Sequence, residues 1–138
     1  MNARSFRLTA IVAFFLPIGA PIVDFIFPEL VSSELSQAME TEPSPFLYEH
    51  WQWIALLIAF FVSSIAGFVG LLLFRNWGRA LSLWTTLIGL CVYPFLGSDV
   101  TSGAASALYE LGTTLWGAVL ALAYFSSLAV HFEGRHDG

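Results

Sequence analysis

The sequence predicts an all-α integral membrane protein built as a four-helix transmembrane bundle. Hydrophobic residues make up 57% of the chain and charged residues only 11%, whereas about a quarter of the residues in a soluble domain are charged. Four apolar stretches, roughly 8–27, 51–74, 80–96 and 108–130, approach the length of about 20 residues that a helix needs to cross a bilayer. The connections are short, so a single domain over residues 1–138 is expected.

The first stretch is predicted to be a retained span and not a cleaved signal peptide. It begins with Arg4 and Arg7, but its apolar run continues through Phe27 without a small-x-small site followed by polar sequence. Pro17 and Pro21 lie inside the run and each removes a backbone donor, so a kink in the middle of this helix is expected.

Asp24 interrupts the same apolar run, in PIVDF. At about 100° per residue it shares a narrow helix face with Ala10, Ala13, Pro17 and Pro21. Small residues favour close contact between membrane helices. This face is therefore expected to pack inside the bundle, with Asp24 pointing inward near the outer end of the span.

The longest connection, about 29–44, is expected to be an outer loop whose PELVSSELSQAME segment could form an interfacial helix. Ser44 and Pro45 suit the N-cap and first position of the second span. Trp51 and Trp53 follow and are predicted to anchor that span at the membrane interface.

Small residues also mark the second span, where Ser63, Gly67 and Gly70 fall on one stripe that permits close helix packing. The segment LFRNWGRALSL then predicts a tight turn. Its Arg75 and Arg79 are expected to act as interface anchors on the cytoplasmic side.

The third span contains the single cysteine, Cys91, which is expected to be a small buried hydrophobe because one thiol forms no intrachain disulfide. On the fourth span Glu110, Thr114, Gly117 and Ala121 share a face. Internal packing explains the small-residue stripes of both the second and fourth spans most simply, and contact with a partner or a second copy is the alternative.

The arginines indicate the orientation. The basic residues are five arginines, and with four spans all of them fall on one side of the membrane. Because positively charged short loops stay cytoplasmic, both termini are expected inside a bacterial-type cytoplasmic (inner) membrane. Most carboxylates fall on the opposite side, where solvation, a cation or a basic partner would explain them.

Asp24 and Glu110 are the main candidates for a functional site, because ionisable residues within membranes face a bundle interior, a wet cavity or a partner. Three interpretations remain open: hydrated groups at the mouth of the bundle, an ion- or proton-binding pair, or contacts to a basic group on another subunit. Glu49 and His50 begin the second span and could join them. No spacing motif supports a metal site.

Other chemistry lacks its sequence signature. The chain has no glycine-rich phosphate loop, no HExxH or GxSxG, no histidine within a span to ligate haem, and no basic region for nucleic acid. We therefore expect no cofactor and no enzymatic activity. The sequence favours an accessory or scaffold subunit of a membrane complex, or a self-associating bundle, with the lipid bilayer and a membrane protein or second copy as partners. The alternative is a small transporter or ion- or proton-conducting protein using Asp24 and Glu110.

Overall fold

A computed structural model describes residues 2–31, 51–93, 101–129 and 132. Its helices are α1 (Ala3–Ile26), α2 (Trp51–Leu72), α3 (Asn76–Val92) and α4 (Gly103–Phe125), with a short 3-10 turn at Pro28–Leu30. No strand occurs in these ranges, so the all-α, four-helix class is confirmed. Three helices, α1, α2 and α4, are long and apolar enough to cross a membrane. With 17 residues, α3 spans only about 25 Å.

The helix boundaries differ from those expected, because capping residues extend the helices beyond the apolar runs. The backbone N–H of Ser5 donates to Asn2 Oδ1 at 2.8 Å, so α1 begins at Ala3 and not near residue 8. Likewise α4 begins at Gly103 behind the N-cap Ser102. The helix α1 also continues through both prolines.

The four helices form two antiparallel pairs. The first and last helices, α1 and α4, pack along much of their length, and α2 and α3 form a hairpin. The pairs meet through aromatic side chains, with the rings of Phe14 and Phe68 stacked at 4.1 Å between centroids. Every buried residue of α2 lies in its last two turns, so this half of the bundle holds the contact between the pairs.

The turn between α2 and α3 is unusually tight. The N–H of Arg75 donates to Gly70 O at 2.9 Å and that of Phe74 to Leu71 O at 3.1 Å, the bonding pattern of a Schellman motif. Phe74 takes the left-handed conformation there (φ 53°), a position that usually holds glycine. Its ring packs against Phe6 and Phe132, which holds this conformation in place.

The two ends of the bundle carry opposite charges among the described residues. We call them the arginine end, with Arg4, Arg7, Arg75 and Arg79, and the acidic end, with Asp24 and Glu29.

Two of these arginines bind helix C-termini. Arg7 Nε donates to Leu72 O at the end of α2, at 2.9 Å, and an Arg79 Nη donates to Ala123 O near the end of α4, at 3.5 Å. Cations are favourable at C-termini. These arginines therefore link helices.

A side-chain hydrogen bond joins α3 to α4. Trp116 Nε1 donates to Thr86 Oγ1 at 2.9 Å, and Thr86 Oγ1 donates in turn to Ser82 O at 2.8 Å. The indole is half-buried between the two helical pairs. Since polar groups in an apolar surrounding need partners, this bond favours one registration of α3 against α4.

Replacing Thr86 with valine is expected to lower the free energy of unfolding by about 1 kcal/mol, because the Trp116 N–H loses its acceptor. Reversible unfolding in mixed micelles measures this change. The control is Thr114→Val, since Thr114 is exposed on α4 and its replacement should leave stability unchanged. Equal losses in the two variants would contradict the assignment.

Candidate functional site on the last helix

The carboxylate of Asp24 binds the N-terminus of α4. The backbone N–H of Ser102 donates to Asp24 Oδ2 at 3.1 Å, and the Ser102 hydroxyl donates to Asp24 Oδ1. The Ser102 hydroxyl oxygen also accepts from the N–H of Ala105 at 3.2 Å. A carboxylate is favourable at a helix N-terminus. Asp24 thus points into the bundle, as expected, and joins α1 to α4.

Ser102 is the residue that sequence reasoning missed. The segment GSDVTSGAAS reads as a polar turn, and the fourth span was expected to start near residue 108. The available signal was a serine directly before a run of small helix-compatible residues, which is typical of an N-cap. Ser102 is buried in the structure although its sequence neighbourhood is polar.

Glu110 does not join Asp24. It lies seven residues along α4 and is exposed. Gly112, two residues away and therefore about 160° around the helix, packs against α1: a Cβ on it would approach Leu16 Cβ to 2.9 Å. Glu110 therefore lies on the side of α4 that faces away from α1, the helix that carries Asp24, and the structure forms no Asp24–Glu110 pair.

Glu110 belongs instead to a continuous exposed face of small and polar residues. We define the α4 seam as six exposed residues that alternate in steps of four and three along the helix: Gly103, Ala107, Glu110, Thr114, Gly117 and Ala121. This spacing places all of them on one side of α4. That side is opposite the buried residues Ala105, Gly112, Val119 and Ala123.

The seam differs from the exposed faces of α1 and α2. Those helices expose many large apolar side chains, as lipid-facing helices do: Leu8, Ile11, Val12, Phe15, Ile18, Ile22 and Phe25 on α1, and Ile54, Leu56, Ile58, Phe61, Val62, Ile65 and Val69 on α2. On α4 the large exposed hydrophobic residues are Tyr109, Leu111 and Phe125, all outside the seam.

The four small residues expected at helix contacts divide into two pairs. A Cβ on Gly67 would lie 2.7 Å from Ser82 Oγ, and a Cβ on Gly70 would lie 2.5 Å from Gly78 Cα, so both positions pack tightly against α3. In contrast, a Cβ on Gly117 would meet nothing within 4 Å, and Ala121 is exposed. Packing inside the bundle therefore does not explain why Gly117 and Ala121 of the α4 stripe are small.

The expected interface anchors take different positions. Trp51 is largely exposed at the start of α2 and Trp53 is half-buried. Arg75 is exposed at the N-cap position of α3. Arg79 is half-buried: its Nε donates to Asn76 Oδ1 at 2.8 Å and its guanidinium lies 5.1 Å from the centroid of the Tyr124 ring.

The remaining candidate groups do not form a metal or redox centre in the part of the chain that the structure describes. Glu49 and His50 lie outside the described residues. Among the residues that the structure describes, no three histidine, cysteine, aspartate or glutamate side chains come together. The prediction that Cys91 is buried is wrong, since its thiol lies on the exposed side of α3.

Comparison of the chain with protein-family models, with curated proteins and with solved structures gave no match.

Proposed function

We propose that this protein is a non-catalytic accessory subunit of a membrane complex, which it joins through the α4 seam. The observation that supports this function is the exposure, on a helix apolar enough to span a membrane, of a face made of glycine, alanine, threonine and glutamate. Small residues line contacts between membrane helices, and a carboxylate is costly against lipid tails. A bound helix would cover this face.

The proposed setting is a bacterial-type cytoplasmic membrane with both termini on the cytoplasmic side. Its support is the arginine end of the bundle, because positively charged segments stay cytoplasmic. In this orientation Asp24 and Glu29 lie toward the outside.

The alternative of transport through Asp24 and Glu110 has less support. Asp24 on α1 accepts two hydrogen bonds from Ser102. Glu110 lies on the side of α4 that faces away from α1. A conduction path through both carboxylates would need a rearrangement of α1 against α4.

Isolation of the full chain from its native membranes tests the proposed function. We expect native mass spectrometry after mild extraction to show a complex of defined stoichiometry. Replacing Gly117 with leucine is expected to remove most of this complex, because a leucine fills the seam where a partner backbone would approach.

The matched control is Gly19→Leu. Gly19 is also a helical glycine with no atom within 4 Å of its Cβ position, but it lies on α1. This variant should keep the complex. A wild-type protein that is monomeric in native membranes, or equal loss of the complex in both variants, would contradict the proposed function.

A further inference from the structure

We propose that the arginine end binds an anionic phospholipid, whose phosphate lies against the guanidinium groups of Arg7 and Arg75 beside the turn between α2 and α3. This site is separate from the α4 seam, so it does not depend on the proposed accessory role. Three observations support it: a guanidinium held in place by the fold, cations without a carboxylate partner, and exposed apolar side chains next to them.

The guanidinium of Arg7 is held in one place by its contacts with the turn. Its Nε donates to Leu72 O at 2.9 Å, and its Cζ lies 5.2 Å from the centroid of the Phe74 ring. The side chain is nevertheless exposed, and neither Nη atom bonds to another residue that the structure describes. A guanidinium fixed in this way offers paired N–H donors to a phosphate with little loss of conformational freedom.

Arg75 brings a second cation to the same turn. It follows Phe74 directly, its side chain is exposed, and it makes no capping hydrogen bond at the start of α3. Arg4, three residues before Arg7 on α1, is exposed as well. Within the described ranges, none of these three arginines pairs with a carboxylate. Unpaired cations at one end of the bundle favour an anionic ligand.

The segments that the structure does not describe leave this end positively charged. The sequence after α4 contains Glu133 and Asp137, and also Arg135. Placing both carboxylates at the arginine end would still leave the five arginines of the chain in excess. The segments 32–50 and 94–100 connect helix ends at the acidic end. The excess of positive charge therefore does not depend on where these segments lie.

Exposed apolar side chains flank both arginines. Leu8 follows Arg7 on α1, and each exposes a large part of its surface to the surroundings. Leu73 and Trp77 lie on either side of Arg75, and each is more than half exposed. A phospholipid offers a phosphate to the arginines and a hydrocarbon chain to their neighbours, whereas a free phosphate offers only the charge.

The position of the site on the helices also fits a lipid headgroup. The arginines lie at the start of α1 and at the end of α2, and both helices are long and apolar enough to cross a membrane. Lipid headgroups meet a spanning helix at its ends, where basic side chains attract anionic lipids. Charge, apolar contact and position together favour an anionic phospholipid over a soluble anion.

Lipid binding by the purified full-length protein tests the inference. The probes are phosphatidylglycerol and phosphatidylcholine with the same acyl chains, each added to the protein in nonionic micelles, and native mass spectrometry measures the bound fraction. We expect about twentyfold tighter binding of phosphatidylglycerol, about fivefold from each of the two arginines. Arg75→Gln should lower this preference about fivefold, and Arg75→Lys should keep most of it because lysine retains the charge.

The matched control is Gln52→Glu. It changes the net charge by the same amount as Arg75→Gln, but Gln52 is exposed at the start of α2, at the acidic end. The lipid preference of this variant should equal that of the wild type. Excess inorganic phosphate should displace no more lipid than sodium chloride of equal ionic strength, because phosphate lacks the contacts of an acyl chain.

Several results would overturn the inference. One is equal binding of the two lipids to the wild-type protein. Another is an unchanged preference in Arg75→Gln, or an equal loss in Gln52→Glu, which would show that net charge and not this site attracts the lipid. A third is displacement of the lipid by phosphate beyond the effect of sodium chloride, which would show a site for soluble anions.

Discussion

Replacing Gly78 with alanine is expected to lower the free energy of unfolding by about 3 kcal/mol, near the upper end of the usual cost of overpacking. A Cβ on Gly78 would lie 2.5 Å from Gly70 Cα and 2.7 Å from Leu71 N. Both neighbours are backbone atoms of α2, so no side-chain rotation relieves the clash. The turn at Phe74 and Arg75 holds α2 and α3 together at this level, and the hairpin must therefore open.

The higher helix propensity of alanine acts in the opposite direction to the expected clash. Alanine is favoured over glycine by about 1 kcal/mol in an unstrained helix, so Gly19→Ala, in open space, should leave stability unchanged or raise it. Reversible unfolding in mixed micelles measures both variants. A Gly78→Ala protein as stable as Gly19→Ala would show that α2 and α3 do not approach as closely as described.

Replacing Asp24 with alanine is expected to lower the free energy of unfolding by about 2 kcal/mol. The change removes the acceptor of two hydrogen bonds from Ser102, one of them from a backbone N–H that begins α4, and bonds to a charged group are worth more than neutral ones. The same unfolding assay applies. Glu29→Ala is the control, because Glu29 is exposed in the short turn after α1.

A double-mutant cycle identifies the partner. Ser102→Ala alone should cost about 1 kcal/mol as a lost N-cap. The double variant Asp24→Ala, Ser102→Ala should be less destabilised than the sum of the two single variants, because the interaction is removed only once. Additive effects would show that Asp24 stabilises the fold through other contacts.

The fold class was predictable from the sequence because apolar length alone determines it. Four apolar stretches of helical length are visible without knowledge of their contacts, and three of the resulting helices are long and apolar enough to cross a membrane. The helix ends were less predictable. Asn2 and Ser102 extend α1 and α4 into polar sequence, and a capping side chain is a local signal that hydropathy does not contain.

Whether each helix face contacts the interior of the bundle or its surroundings was harder to predict. Small residues indicate contact, but they do not say whether the contact is internal or external. Gly67 and Gly70 are internal because α3 returns directly along α2 after a three-residue turn. Gly117 and Ala121 are exposed because Gly112, about 140° and 180° away around α4, is the residue that meets α1. For Gly117 and Ala121, the packing of α4 against α1, a helix distant in sequence, decides this.

The pairing of α1 with α4 also has a consequence for biosynthesis. The first helix leaves the ribosome long before its main packing partner, and at a synthesis rate of about 5–20 residues per second the delay is roughly 5–20 s. In the proposed membrane setting, α1 would enter the bilayer during this interval with its small face and Asp24 uncovered. A membrane insertase or chaperone that shields this helix until α4 arrives would therefore favour correct assembly.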